Sequence, residues 1–579
     1  MLLDGTASYL GEQLGASPDQ IKVILLLVGS VPLSLAFPYF PPSTRSSLVH
    51  LYALLPSILF LCFTLNLRWG FLELFADTAV TWVLCKIGVA GKWGKAMPWT
   101  VFAVTMGHLA VNHIIAFTTD ISPDIITITG SQMVHCMKLI SFAWSVYDGT
   151  RPDSELDATQ KSSKIEGVPG LLPFLGYAFF FPSILAGPAV TYRSWVSFTT
   201  HGLFAEESHS GEDKPDPTVI PAGRKRKALK RFATGIFFLG LFSFYGGAFG
   251  VHKLLDPEWL KGKTFWDKFL QMNKGGFIAR TKYYAVWCIA ESAFILSGLG
   301  YNPQTKHYDA SRNVRIRSIE LAPNFKILLD SWNMKTNVWL RECIYKRVAK
   351  QGRKPGFKST QITFITSALW HGVNPCYLMT FVLGGFCQAV NRSLRAGLRP
   401  FFLPPGALSI SNPAAATIPK PDIKVEAGKA AGAPTKVKVA PPPQTLAKTL
   451  YDVAGILATG VVLNFAVVPF LLLDVRSSLA AWRAVHFYGL WLVFVPFLLL
   501  NTLGGLRYLK GLQRKRDASV KGKTVGKLEA EQERKRLEWE QEEEKKRVRR
   551  GEGLPSMGLD VEAMVEEEER RNGRAKKEL

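Results

Sequence analysis

His371 sits in the stretch TSALWHGVN of the 579-residue chain, the only ionisable group in an otherwise apolar run. A neutral imidazole, with an unperturbed pKa of about 6.5, is suited to removing a proton from a hydroxyl. Asn333 lies 38 residues earlier, in SWNMKTNVW. Its amide cannot take up a proton, but it can orient an acceptor or polarise a carbonyl. Together the two suit acyl transfer from a thioester or ester to an alcohol. Each also has a structural reading, because a buried polar group needs a hydrogen-bond partner whatever its function. His371 could be satisfied by a neighbouring carbonyl, and Asn333 could tie helices together. The chain contains no Ser nucleophile elbow, HExxH or P-loop that would support a different chemistry.

The elements that position this pair lie in Ser331–Tyr377. On a helical wheel, Trp332, Trp339, Leu340, Cys343, Ile344 and Val348 fall on one half, and Lys335, Arg341, Glu342 and Lys346 on the other. That pattern predicts an amphipathic helix at, or dipping into, the membrane interface. Asn333 and Asn337 lie on its apolar half. A basic loop follows, Arg341–Lys358. From Thr360 onward, Thr360, Thr363, Ser367, His371 and Asn374 form one polar stripe on an apolar helix. Ionisable groups inside membrane spans are rare and are functional hypotheses by default. Trp370 and Gly372 on either side of His371 suggest tight packing with room for a substrate to approach.

The membrane assignment rests on distribution. The chain is 47% hydrophobic, a fraction that soluble proteins also approach, but the apolar residues gather in long runs and the charge in loops and a tail. Runs of about 18 or more apolar residues suit helices crossing about 30 Å of hydrocarbon. The expected fold is all-α and polytopic, with about 10–12 membrane helices, some short or re-entrant. The net charge of +24 sits in loops between apolar runs, which fits a membrane surface better than nucleic acid. Four basic segments, Arg224–Arg231, Arg341–Lys358, Lys420–Lys438 and the start of the tail after Arg507, are separated by pairs of apolar runs. All four therefore fit on the cytosolic side. The seven cysteines form no CxxC pair, so neither a disulfide framework nor a zinc site is expected. The N-terminus lacks the pattern of a cleavable signal peptide.

The domain expectation is one transmembrane catalytic domain over 1–510, with a disordered Pro/Ala/Lys-rich loop at 404–445, and a charged, partly helical cytosolic tail over 511–579. The chain ends in Lys576-Lys577-Glu578-Leu579, a dilysine pattern typical of endoplasmic reticulum membrane proteins, so residence in that membrane is expected.

The WN at Trp332-Asn333 with the following NVWLR, and TSALWHG ending at His371-Gly372, resemble the membrane-bound O-acyltransferases. DIITITGSQMVHCMKLISFAWSVYDG (Asp124–Gly149), PSILAGP (Pro182–Pro188) and ESAFILSGLGYN (Glu291–Asn302) resemble the lysophospholipid acyltransferase branch, most closely its fungal members with their long charged tail. The resemblance implies helices enclosing an intramembrane chamber that acyl-CoA enters from the cytosol and a lysophospholipid from the bilayer. By the same carry-over, His371 is the base and Asn333 its partner. Trp332, Asn337, Trp370, Gln132, Lys138, Asp148, Glu291, Ser297, Tyr301 and Asn302 fall in matching motifs as substrate-binding candidates. No metal or resident cofactor is implied, since acyl-CoA is a co-substrate. The basic loop Arg341–Lys358 is expected to attract the CoA phosphates. A sterol, a diacylglycerol or a protein as acceptor, or a transporter using His371 in a solute pathway, remain as alternatives. A transporter would be expected to carry inverted repeats, and none is visible.

Overall fold

The computed structural model describes residues 3–40, 47–119, 121, 125–200, 202–204, 220–349, 356–404, 445–521, 533–534, 536–539 and 541–542. Among them the chain is helical, and its β contact is an isolated bridge between Asn302 and His307. In order, the long helices are α1 (Asp4–Leu14), α2 (Pro18–Leu33), α3 (Ser47–Ile58), α4 (Arg68–Ala90), α5 (Ala96–Thr118) and α6 (Thr129–Gly149). Then come α7 (Arg224–Phe249), α8 (Phe265–Ser297), the short α9 (Met334–Leu340) and α10 (Phe357–His371).

Local sequence sets the ends of several of these. Ser17 caps α2 by accepting the Gln20 N–H, and Pro18 takes the first helical position, where a missing N–H costs nothing. Thr264 and Asp267 form a reciprocal capping box at the start of α8. Gly298, at φ 99°, ends α8 in a left-handed conformation that disfavours any residue with a Cβ. The glycines of SGLGYN thus begin by terminating a helix.

Among the described residues, five helical segments are long and apolar enough to cross a membrane: Pro18–Tyr39, Ser47–Thr64, Ala96–Thr118, Arg224–Leu255 and Leu446–Ala466. Val475–Ala484 and Tyr488–Thr502, meeting at 87°, form a broken sixth. The chain is therefore an all-α, multi-pass membrane protein, although fewer segments meet the strict test than the apolar runs suggest. The difference has two sources. The helices α6 and α8 have the length but carry buried charge, including Lys138, Asp148, Arg280 and Glu291. The run Leu171–Val190 breaks into Leu171–Ala178 and Phe181–Ile184, and α10 has only 15 residues.

The chain divides into two compact units. The first comprises Met1–Leu321, Leu328–Gly385 and Gly460–Gly489. At its centre lies α6, with 16 of 21 residues buried, so polar groups on every face must be met by protein. The second unit comprises Ala322–Ile327, Phe386–Thr459 and Leu490–Leu579. Within it, Phe386 packs on Phe494 and Phe497, with ring centroids 5.1 and 5.0 Å away. Arg516 donates to the Pro400 and Leu403 carbonyls at 2.8 Å each. The Pro/Ala/Lys-rich loop, most of the charged tail and the dilysine ending lie outside the described residues.

Candidate active site

Both halves of the central stretch dock on one face of α6. From α10, Trp370 donates its indole N–H to the Met133 carbonyl at 2.9 Å. From α9, the Thr336 hydroxyl lies 3.3 Å from the Met137 sulfur. Met133 and Met137 are one turn apart, about 6 Å along the axis. Between the two docked segments, the Trp339 and Trp370 rings meet at 5.8 Å, both almost fully buried. The amphipathic segment therefore enters the core instead of lying at the interface. It does so as α9 followed by a π-helical turn, Arg341–Tyr345. Trp332 precedes the helix and rests against Tyr283, Tyr284 and Trp287 of α8 at 5.6, 5.9 and 5.0 Å.

Asn333 takes the position before α9 in the left-handed region, φ 43° and ψ 54°, which asparagine tolerates better than most residues. Its side-chain oxygen accepts from Asn313 Nδ2 at 3.1 Å and from the Thr336 hydroxyl at 2.9 Å. Asn313 also binds the following turn, its carbonyl accepting Met334 N–H at 2.9 Å and its side-chain oxygen Lys335 N–H at 3.0 Å. With the oxygen held from two sides, the orientation of the amide is fixed. Its NH2 has no acceptor among the described residues.

His371 is the last residue of α10. Its ring sits in an aromatic enclosure, 5.0 Å from Phe381 and nearly parallel to it. Phe470 and Trp370 approach edge-on at 5.1 and 4.7 Å. No side chain among the described residues hydrogen-bonds the imidazole, so both ring nitrogens remain available to a ligand. Gly372 follows with φ 146°, and a Cβ there would stand 2.8 Å from the Tyr377 ring. Glycine is thus required for the chain to turn away directly after the histidine. His113 of α5 approaches from the other side, its Nε2 3.3 Å from the Trp370 carbonyl. A carbonyl can only accept, so Nε2 carries the proton and caps a helix-terminal carbonyl.

The polar stripe of α10 resolves differently from its spacing. Thr360, Thr363 and Thr366 donate to carbonyls of their own helix, at Gly356, Ser359 and Ile362. Asn374 lies past the helix end and donates to the Leu473 carbonyl at 2.7 Å. The stripe stops at His371.

Comparison with known sequences identifies the family. The membrane-bound O-acyltransferase family profile covers residues 114–413. A Schizosaccharomyces pombe lysophospholipid acyltransferase is 35% identical over 84% of this chain and 87% of its own length. A Saccharomyces cerevisiae protein of the same name is 34% identical over 86% and 77%. A human membrane-bound glycerophospholipid O-acyltransferase 2 is 26% identical over 83% and 84%. The chain belongs to the membrane-bound O-acyltransferase family. It is an acyltransferase.

In this O-acyltransferase most of the other motif residues hold the scaffold together. Lys138 donates to the Ala178 carbonyl and the Ser183 hydroxyl at 3.0 and 2.8 Å, tying α6 to the broken run after it. Both carboxylate oxygens of Asp148 receive Arg347, one at 2.8 Å. Gln132 accepts from Asn112, which also donates to Glu73. Asn337 donates to the Leu329 carbonyl at 3.1 Å, and Ser297 closes the end of α8 on the Phe294 carbonyl. Tyr301 packs between Phe204 and Tyr308, and Asn302 donates to Asp309 at 3.1 Å. Glu291, fully buried, receives Arg231 at 2.5 Å.

The cations of Arg341–Lys346 in the basic loop are paired with carboxylates, whereas Lys358 is exposed. Arg341 and Lys346 meet Glu342 at 2.8 Å each, and Lys346 also meets Asp157 at 2.6 Å. Burial raises the pKa of the Asp157 carboxyl, but the Lys346 ammonium and the helix N–H groups it caps outweigh that, leaving it below the usual carboxylate value.

Asn313, Thr336, His113 and Phe470 were not identified from sequence. For His113 a signal existed: it is an ionisable group in the apolar run Pro98–Phe117, and the rule that singles out His371 applies to it equally. The other three act through tertiary contacts that no local pattern carries.

Proposed function

We propose that this enzyme transfers a fatty acyl group from acyl-CoA to the free hydroxyl of a lysophospholipid. The observation that carries the proposal is a pair of groups on segments docked against neighbouring turns of α6: an oriented amide whose N–H donors have no acceptor among the described residues, and an imidazole with no hydrogen bond among them. The activities in the names of the yeast relatives point to the same substrate class.

In the reaction His371 removes the hydroxyl proton as the oxygen attacks the thioester carbonyl. The Asn333 amide N–H groups face the oxyanion that forms, a role for preorganised donors in a site shielded from water. The carbon–sulfur bond then breaks, and the CoA thiolate takes the proton back from the imidazolium. The aromatic enclosure keeps water from competing with the acceptor hydroxyl. We place the enzyme in the endoplasmic reticulum membrane with its tail in the cytosol, on the strength of the charge pattern and the dilysine ending.

Wild type and His371→Ala would be compared in microsomes containing equal amounts of each protein, supplied with labelled oleoyl-CoA and a panel of lysophospholipids. Wild type is expected to acylate at least one lysolipid and His371→Ala none above background. Equal activity would refute the role of His371. A wild type inactive on every lysolipid, but active on a sterol or diacylglycerol, would refute the acceptor.

A further inference from the structure

Arg341, Lys346 and Arg347 are neutralised by carboxylates, but a partly buried group of cations stands beside Asn333. The basic segment at the start of α7 divides by face. Lys225, Arg226 and Lys230 are exposed, whereas Arg224, Lys227 and Arg231, at helical spacings of three and four, are half-buried. The inner set faces Glu291 of α8 together with Arg312 and Arg315 from the segment that follows it. Arg231 binds Glu291 at 2.5 Å and Arg312 stands 3.9 Å from the same carboxylate. Lys227, Arg315 and Lys335 lie within electrostatic reach of Glu291. Asp309 also faces Arg315 and Lys335, and Asp330 faces Arg315, so three carboxylates meet the five cations Lys227, Arg231, Arg312, Arg315 and Lys335 and leave the group net positive. The donor inventory agrees: Arg231 Nε and Arg315 Nε are buried without a hydrogen-bond partner, as is the acceptor Glu291 Oε1 between them and Arg312, while Arg224 Nη1 is unpartnered at the start of α7. A buried donor left unpaired costs about 1–3 kcal/mol, more when charged, so two in one place mark the seat of an anion.

The cluster is continuous with the catalytic amide. Arg231 reaches the Val314 carbonyl at 3.5 Å, and Asn313, between Arg312 and Val314, holds the Asn333 oxygen at 3.1 Å. Lys335 is two residues from Asn333 and bonds through its backbone to the same Asn313. Both substrates of the proposed reaction carry phosphate, but at different distances from the reacting atoms. In a lysophospholipid the phosphate sits on the same glycerol unit as the attacking hydroxyl. In acyl-CoA the phosphates lie a full pantetheine arm from the thioester. We infer that the Arg231–Arg312–Arg315 cluster around Glu291 binds the phosphodiester of the lysophospholipid acceptor and so sets its hydroxyl against Asn333 and His371. Guanidinium groups suit this task, because their planar fork pairs with two phosphate oxygens at once.

The inference rests on the proposed acceptor, so its test measures binding apart from turnover. In the His371→Ala background, in nanodiscs, lysophosphatidylcholine and CoA would each be titrated while the unfolding temperature is followed. Lysophosphatidylcholine is expected to stabilise the parent, with an apparent Kd raised about tenfold or more by Arg312→Gln or Arg315→Gln and the CoA response unchanged. Arg312→Lys would recover part of the loss, and the exposed controls Arg226→Gln and Lys230→Gln none of the defect. With active protein, the same Gln variants should raise KM for the lysolipid but not for oleoyl-CoA. A shift confined to CoA would reassign the cluster to the acyl donor and overturn the inference. Normal binding of both ligands would make the cluster structural and overturn it too. Failure of lysophosphatidylcholine to bind even the parent would instead overturn the acceptor reading beneath it.

Discussion

Asn333 allows a test in which backbone and side chain give opposite answers. It occupies the left-handed region at φ 43°, where a residue with an ordinary Cβ pays about 1–2 kcal/mol and glycine pays little. Its amide also accepts two hydrogen bonds, from Asn313 and Thr336, each worth about 0.5–1.5 kcal/mol net. Asn333→Ala loses the amide and meets the backbone penalty. Asn333→Gly loses the amide and avoids it. If the amide N–H groups stabilise the developing oxyanion, both variants lose about 10²–10³ in kcat, as removal of such a donor usually does, although the glycine variant is the more stable by about 1 kcal/mol or more. The assay is initial-rate acylation with labelled oleoyl-CoA, normalised to folded protein, alongside thermal unfolding of both variants. If Asn333→Gly keeps near wild-type kcat while Asn333→Ala is lost, Asn333 is a turn residue and the oxyanion argument fails.

The neighbouring residues carry further expectations. His113→Phe removes the N–H on the Trp370 carbonyl and should lower kcat about tenfold with KM unchanged; His113→Gln, which can restore a donor at that reach, should recover much of it. Equal activity in His113→Phe would make that contact incidental. Gly372→Ala forces a Cβ against Tyr377 from a backbone that disfavours one, so steady-state kinetics should show lost turnover in protein that still accumulates. Arg347→Leu leaves the buried Asp148 carboxylate with Arg151 alone, 3.5 Å away, and should destabilise by about 1–3 kcal/mol, read as lower protein level and unfolding temperature. Wild-type stability in Arg347→Leu would show that Asp148 finds another partner.

His371 was legible in the sequence because an ionisable group in an apolar run needs explaining before any fold is known, and WHG gives it an aromatic neighbour and a turn. The stripe leading to it was over-read. Helical spacing shows which residues share a face, but not that Thr360 and Thr363 satisfy themselves on their own helix, as hydroxyls surrounded by apolar neighbours do. Pairing in the described part of the basic loop was hidden for a related reason, and Lys350, Arg353 and Lys354 of the loop lie outside the described residues. Charge counted along the chain cannot show that Lys346 pairs with Asp157, 189 residues away, or Arg347 with Asp148, 199 away. Once those pairs are removed from the balance, the partly buried cations beside Asn333 are those of α7 and of the segment after α8. The apolar runs gave the class of fold, and α6, with 16 of its 21 residues buried by protein, can carry charge that an isolated apolar span would not.

That property of α6 explains why a helix with few groups free to touch substrate bears one of the family-like motifs. Its polar and sulfur-bearing residues each fix a different segment. Gln132 takes Asn112 of α5, Met133 takes Trp370 of α10, and Met137 meets Thr336 of α9. Lys138 holds Ala178 and Ser183, and Asp148 holds Arg347. From Gln132 to Asp148 the axis rises about 24 Å, so one rigid helix spaces all of these attachments. Productive geometry must hold to well under an ångström for transfer between two bound substrates, and neither α9 nor α10 is long enough to set it alone. A conservative change at Met137, whose sulfur meets Thr336, should therefore alter kcat without touching substrate, by displacing the amide relative to the imidazole.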